Sequence, residues 1–81
     1  MKVTRQILGE YIVEALHEHG GSANLYCVAK HIGTTHKDDL EASGPIQFSW
    51  QYDMRWSARN LRKRGILKSA KQCRKGVWEL T

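Results

Sequence analysis

The sequence predicts a single small α+β domain, in which three amphipathic helices precede a terminal β-hairpin. Apolar residues recur at helical spacing in three separate segments, and residues that cap or stop helices bound each segment. The end of the chain instead holds two short apolar runs on either side of a basic segment, which is typical of a hairpin. Because 81 residues suffice for only one core, we expect one domain spanning residues 1–81.

The composition indicates a folded chain with a polyanionic partner. Hydrophobic residues make up 41% of the sequence and charged residues 26%, which is ordinary for a globular protein. Thirteen Lys and Arg against eight Asp and Glu give a net charge of +5. Residues 55–75 carry many of the cations and no acid, whereas Asp38, Asp39 and Glu41 form an acidic cluster. Such a distribution favours nucleic acid, acidic lipid or acidic protein as partner.

Nothing in the sequence predicts a membrane or secretory protein. No apolar run approaches the roughly 20 residues that a transmembrane helix needs, and the N-terminus lacks the apolar core of a signal peptide. Two cysteines, Cys27 and Cys73, suggest reduced thiols, because a secreted domain of this size usually has more. We therefore expect a cytoplasmic protein.

The first two helices are predicted from caps and periodicity. Thr4 is the expected N-cap of the first helix, and Gly20 and Gly21 are its expected end. Asn24 is the expected N-cap of the second helix, with Gly33 as its exit. Ser22 and Ala23 between them are too few to identify a strand. The apolar stripes comprise Ile7, Leu8, Tyr11, Ile12, Ala15 and Leu16 in the first helix, and Leu25, Val28, Ala29 and Ile32 in the second.

A less regular link follows over residues 34–48. Thr35 and Asp38 have the spacing of a capping box, which predicts one helical turn over residues 38–42. Ser43, Gly44 and Pro45 are then expected to break it.

The third helix is predicted over residues 50–64 and carries most of the functional signal. Ser49 is its expected N-cap, Asp53 lies in the expected first turn, and Gly65 is the expected left-handed stop. At 100° per residue, one face contains Met54 and Leu61 and should be buried. The other face collects two aromatic rings and four cations, and it comprises Tyr52, Arg55, Trp56, Arg59, Arg62 and Lys63.

The predicted hairpin uses residues 66–69 and 76–80, with the basic loop 70–75 between them. Two helices, a cationic helix and a basic hairpin in this order predict a winged helix-turn-helix domain. In that fold, the third helix would enter the major groove of DNA and the loop would be the wing.

The run LRKRGILKSAKQCRKGVWEL (residues 61–80), with Trp56 upstream and the GGSA segment after the first helix, resembles the N-terminal winged-helix domain of Mrr-type restriction endonucleases, which restrict modified DNA. The likeness extends from about Ile7 to Thr81. It implies a DNA-reading module that is normally attached to a nuclease domain, which is thus an expected partner. The carboxylates and lysine of a metal-dependent nuclease have no plausible counterpart here, so binding carries over and cleavage does not.

We expect DNA contacts at two places. Arg55 and Arg59 lie one turn apart and are the best candidates for base readout, while the wing should meet the phosphate backbone. The full predicted DNA-binding set is Ser49, Gln51, Tyr52, Arg55, Arg59, Arg62, Lys63, Lys71, Gln72, Arg74 and Lys75.

Several alternatives stay open at this stage. The cationic face can simply be solvated, or it can dock an acidic protein instead of DNA. Trp56 can pack against the acidic link or contact the groove. Cys27 and His31 are four residues apart, but no paired spacing supports zinc, and we expect no metal, no cofactor and no catalytic residue.

Overall fold

A computed structural model describes residues 2–81, which form a small α+β fold with four helices and a two-stranded antiparallel sheet. The elements in chain order are α1 (Arg5–Glu18), β1 (Ser22–Asn24), α2 (Leu25–Thr35), α3 (Lys37–Glu41), α4 (Ile46–Lys63) and β2 (Val77–Glu79), with a 3-10 turn at Ala70–Gln72 before β2.

The first two helices begin at the predicted N-cap residues. The Thr4 hydroxyl accepts the Ile7 amide at 3.3 Å, and the Asn24 side chain accepts the Cys27 amide at 2.9 Å. Gly20 has φ +77° and Gly21 has φ +99°, so the chain turns there in a conformation that suits glycine. The predicted caps and the predicted end of α1 are confirmed.

The exit of α2 differs from the prediction. The helix continues through Gly33 to Thr35, and His36 is its C-cap. A Cβ atom at Gly33 would lie 3.4 Å from the Trp50 ring, so this glycine lets α2 approach α4 closely. Gly33 is therefore a packing residue and was wrongly read as a stop.

The link between α2 and α4 also differs. The expected single turn is the short helix α3, which makes four helices where three were predicted. His36 precedes α3 and no side chain caps it, so the predicted Thr35 cap is wrong. Instead the buried Ser43 ties this link down, because its hydroxyl accepts the Val3 amide at 2.7 Å and donates to the Asp39 carbonyl.

The helix predicted over residues 50–64 begins earlier, at Ile46, directly after Pro45. Proline suits a helix start because its φ is already helical and its missing N–H is not needed there. Ser49 is consequently inside the helix and is not an N-cap, and Asp53 is not in the first turn. The predicted end is confirmed, since the helix stops at Lys63 and Gly65 follows with φ +78°.

The sheet joins the segment between α1 and α2 to the segment near the end of the described chain. In the antiparallel register, Ala23 faces Trp78, and Leu67 forms one further antiparallel bridge to Leu80. The Lys68 amide also donates to the Glu79 carbonyl at 2.8 Å. The predicted hairpin is therefore seen only in part, because residues 66–69 contribute a single bridge and no strand, and the partner of β2 is β1. Strand β1 was not predicted, because three residues carry no periodicity.

The core lies between α1, α2, α4 and the sheet, with α1 packed mainly on α4. The Ser57 hydroxyl of α4 donates to the Arg5 carbonyl at 2.7 Å and links the two helices. The buried apolar residues are Val3, Leu8, Tyr11, Ile12, Ala15, Leu16, Val28, Ile32, Leu40, Met54, Ala58, Leu61, Leu67 and Trp78.

Candidate nucleic-acid interface

Helix α4 is fixed in rotation by its buried side. Met54, Ala58 and Leu61 lie in the core, as the helical spacing predicts. Asp53 is also buried, and its carboxylate accepts the Ser49 hydroxyl at 2.8 Å and contacts an Arg5 guanidinium nitrogen at 3.2 Å. This arrangement leaves Arg55 and Arg59 on the exposed side of the helix.

The exposed side of α4 carries one straight stripe, which we define as Phe48, Tyr52, Arg55 and Arg59. These positions are four, three and four residues apart, so they lie within about 60° of one another around the helix axis. Phe48 is 86% exposed and Tyr52 is 75% exposed, and both arginines are exposed as well. The N-terminal half of the stripe is therefore aromatic and the C-terminal half cationic.

The segment over residues 70–76 lies beside the cationic half of α4. Its start is shaped by a capping box in which the Ser69 amide donates to the Gln72 side chain at 3.2 Å. Its end is held by the Gly76 carbonyl, which accepts the Leu25 amide at 2.9 Å. The segment is thereby fixed to α2 as well as to the sheet.

Between α4 and this segment runs a cleft of about 710 Å³, which we call the cationic groove. Both walls contribute positive charge, and no carboxylate lines the groove. Its lining residues are Leu25, Arg55, Ala58, Arg59, Arg62, Ala70, Cys73, Arg74, Lys75, Gly76 and Trp78. Within residues 2–81, no ion pair engages any of these cations.

Arg62 has a structural role in the groove. Its Nε donates to the Lys68 carbonyl at 3.1 Å and one terminal nitrogen donates to the Val77 carbonyl at 3.4 Å. The half-buried guanidinium therefore ties α4 to both segments that carry the 70–76 loop. The sequence placed Arg62 among the predicted DNA-binding residues and gave no sign of this structural function.

Lys68 and Glu79 neutralise each other at the base of the loop. The Lys68 ammonium lies 2.7 Å from the Glu79 carboxylate, and that hydrogen bond raises the pKa of Lys68. Lys68 is thus a paired cation, unlike Arg74 and Lys75 on the groove wall.

The structure brings together only some of the predicted DNA-binding residues. Arg55, Arg59, Arg62, Arg74 and Lys75 line the groove. Among those that do not, the Gln72 side chain belongs to the capping box and the Ser49 hydroxyl is bound to Asp53. The remaining residues lie exposed on α4 or at the loop tip, and they comprise Gln51, Tyr52, Lys63 and Lys71.

Trp56 contacts the first helix. The Arg5 guanidinium carbon lies 4.9 Å from the Trp56 ring centroid, a cation–π geometry, and the side chain is 44% exposed. Arg5 thus meets Trp56 and Asp53 together. This partner was not anticipated, because the sequence suggested the acidic link or the groove.

A second polar cluster lies at the junction of α1 and α2. The His36 Nε2 lies 2.5 Å from the Glu14 carboxylate, and the His31 Nε2 lies 3.4 Å from the same oxygen. The hydrogen bond with His36 lowers the pKa of Glu14 despite the opposing effect of partial burial. The His36 ring also stacks on Tyr11 with centroids 3.5 Å apart. No local spacing signals this cluster, because its members come from different elements.

The sequence analysis did not identify Phe48 as part of the exposed side of α4. Its position one helical turn before Tyr52 is a signal that could have identified it. Its omission followed from starting the helix at Trp50, which placed Phe48 in the link.

Cys27 and Cys73 are free thiols, and within residues 2–81 no three His, Cys, Asp or Glu side chains are grouped to hold a metal ion. None of the helices in this range is long and apolar enough to cross a membrane. Comparison of the chain with protein-family models, curated proteins and solved structures gave no match.

Proposed function

We propose that this protein binds duplex DNA as a winged helix-turn-helix domain, with α4 in the major groove and residues 70–75 as the wing on the phosphate backbone. A major groove about 12 Å wide admits an α-helix, and phosphates attract cations along both edges. The antiparallel pairing of Leu67 with Leu80 and the position of the loop beside α4 support the assignment of the wing.

The observation that carries the proposal is the cationic groove. Two separate elements each direct cations to one cleft, and no acid of the described chain compensates them. Concentrating like charges costs folding free energy, so a protein that does so without internal partners gains from an external polyanion. A surface kept charged only for solubility would have both signs interspersed.

The residues have distinct roles in this proposal. Arg55 and Arg59 face the base edges, where an arginine donates two hydrogen bonds to guanine. Arg74 and Lys75, with Lys71 at the loop tip, contact phosphates and set the orientation of the domain. Arg62 holds the wing at a fixed distance from α4 through its two carbonyl contacts.

The test is fluorescence anisotropy of a labelled duplex at several salt concentrations. Each phosphate contact should add about −0.9 to the slope of log K against log salt, so we expect a slope of roughly −3 to −5. Arg55→Ala with Arg59→Ala should weaken binding by about a hundredfold. Lys30→Ala with Lys37→Ala removes the same charge from exposed positions on α2 and α3 and should change binding by less than threefold.

A third variant examines the wing. Replacing Lys71, Arg74 and Lys75 with Gln should reduce the magnitude of the salt slope by roughly 2 to 3. An unchanged slope would remove the wing from the interface, and a slope near zero for the unmodified protein would end the proposal.

A protein-interaction domain that docks an acidic partner is the second candidate. The exposed aromatic pair Phe48 and Tyr52 favours it, because protein interfaces are enriched in aromatic residues. Binding of an acidic peptide that is tighter than binding of the duplex at equal salt would select this candidate.

The resemblance to Mrr-type restriction endonucleases extends the proposal to modification-dependent reading and to a nuclease partner, with no catalytic residue in this chain. A randomised duplex pool, with and without base methylation, examines the first extension. A preference for methylated duplex would support it, and equal enrichment would remove it.

A further inference from the structure

The stripe Phe48, Tyr52, Arg55 and Arg59 places two chemistries in line on one helix surface. Two aromatic rings exposed to this degree gain nothing from the protein's own core. The two arginines continue the same line, so any partner that α4 meets through Arg55 and Arg59 also meets the rings. An occupant of the stripe must therefore offer apolar groups next to hydrogen-bond acceptors.

The major groove of duplex DNA offers this combination. Guanine presents two acceptors to an arginine, and thymine presents a C5-methyl group that takes apolar contacts, with phenylalanine among the side chains suited to it. No other unmodified base carries an apolar group at the groove edge. The aromatic half of the stripe is thus matched to thymine and the cationic half to guanine.

We infer that the two halves of α4 read different base pairs, with Phe48 and Tyr52 on thymine methyl groups and Arg55 and Arg59 on guanines. Because it presupposes duplex binding, the inference rests on the proposed function. The order of base pairs in the bound site should therefore be fixed, because the two rings lie on only one side of the two arginines along the helix.

The helix geometry also predicts the spacing of the two readouts. The midpoints of the aromatic and cationic pairs are seven residues apart, which is about 10 Å along the axis. At about 3.4 Å per base pair, that distance corresponds to roughly three base pairs. A bound site should therefore contain an A·T step and a G·C step with about this separation. Gln51, exposed beside Tyr52, can pair with the adenine of the A·T step.

The experiment replaces thymine by uracil in a site selected from randomised duplexes. Uracil lacks only the C5-methyl group and keeps Watson–Crick pairing, so each informative substitution should weaken binding about fourfold. Uracil placed outside the selected site is the control and should have no effect. Equal affinity for the thymine and uracil duplexes would overturn the inference.

Protein variants then assign the effect to residues. In Phe48→Ala with Tyr52→Ala, the thymine and uracil duplexes should bind equally, because the contacting rings are gone. Arg55→Ala should keep the fourfold ratio while losing the preference for guanine. Tyr26→Ala is the matched control, since Tyr26 is 76% exposed but lies on α2, and it should leave the ratio unchanged.

The outcomes separate the inference from the proposed function. A steep salt slope with no effect of uracil would refute base reading by the aromatic half and leave duplex binding intact. Absence of salt-dependent duplex binding would overturn both. A thymine ratio that survives loss of both rings would assign the methyl contact elsewhere and refute this assignment.

Discussion

The two sides of α4 use charged residues in opposite ways. On the buried side, Asp53 is 7% exposed and is bound by Ser49 and Arg5, so its charge is satisfied inside the protein. On the exposed side, Arg55 and Arg59 lie a few residues away, and no carboxylate within residues 2–81 pairs with them. The same helix therefore holds charge that stabilises the fold and charge that does not.

This difference supports the proposal that the exposed side of α4 binds a partner. Ion pairing is available to α4, as Arg5 and Asp53 demonstrate, yet the groove cations are left out of it. The free energy of unfolding should fall strongly when a buried side chain of α4 is removed and little when an exposed one is removed. Urea denaturation of single and double variants measures these free energies.

Leu61→Ala should give the largest loss, about 2 to 5 kcal/mol, because it leaves a cavity between α4 and α1. Leu61 is 5% exposed, and a Cβ atom at Gly9 of α1 would lie 3.7 Å from its Cδ2. Urea unfolding monitored by tryptophan fluorescence measures the change. A loss below half a kcal/mol would mean that the helix is rotated and that the division between its sides is wrong.

Arg62→Ala should lower the unfolding free energy by about 1 to 2 kcal/mol, since two backbone carbonyls lose a charged donor. Lys63→Ala is the matched control, as it removes the neighbouring cation from an exposed position and should change stability by less than about half a kcal/mol. Equal losses of unfolding free energy in the two variants would show that the carbonyl contacts of Arg62 do not stabilise the fold.

Glu14→Gln should cost below about 1 kcal/mol at neutral pH, because the carboxylate is 45% exposed and solvent screens it. The pKa of Glu14 is lowered in the folded state by His36, so its contribution is present above the ordinary value of 4.5 and is lost as pH falls through the folded pKa. The wild type should therefore lose more stability than the variant between about pH 5 and pH 3.

The control for this pH dependence is Glu18→Gln, one turn further along α1 at an exposed position. It should leave the acid dependence unchanged. An identical pH profile for Glu14→Gln and the wild type would contradict the interpretation.

Arg55→Ala with Arg59→Ala should give the smallest change, within about half a kcal/mol of the wild type, since both side chains are exposed. Their removal can even stabilise the fold by relieving repulsion in the groove. A loss above 1 kcal/mol would contradict the division between the two sides of α4, because it would show that these arginines interact with a partner inside the protein.

Features decided by neighbouring residues were predictable from the sequence. The caps at Thr4 and Asn24 and the stop at Gly65 each depend on residues within one helical turn. The rotation of α4 was also predictable, because Met54 and Leu61 recur at helical spacing. The cationic set on its other side followed directly from that rotation.

Features decided by distant residues were not predictable. Gly33 looked like a stop, but it lies inside α2, where a Cβ atom would be 3.4 Å from the Trp50 ring of a distant element. Ser49 looked like an N-cap, but the helix begins directly after Pro45. The Ser49 hydroxyl therefore lies inside the helix and donates to Asp53. Arg5 lies far from both Asp53 and Trp56 in sequence, so no local pattern connects them.

The strand β2 pairs with β1 on one side, while Leu80, just beyond it, bridges to Leu67 on the other, so a late segment of the chain completes the sheet. The basic loop is therefore held beside α4 from both of its ends, because Arg62 donates to the Lys68 carbonyl before the loop and to the Val77 carbonyl after it, and the cationic groove depends on the completed sheet.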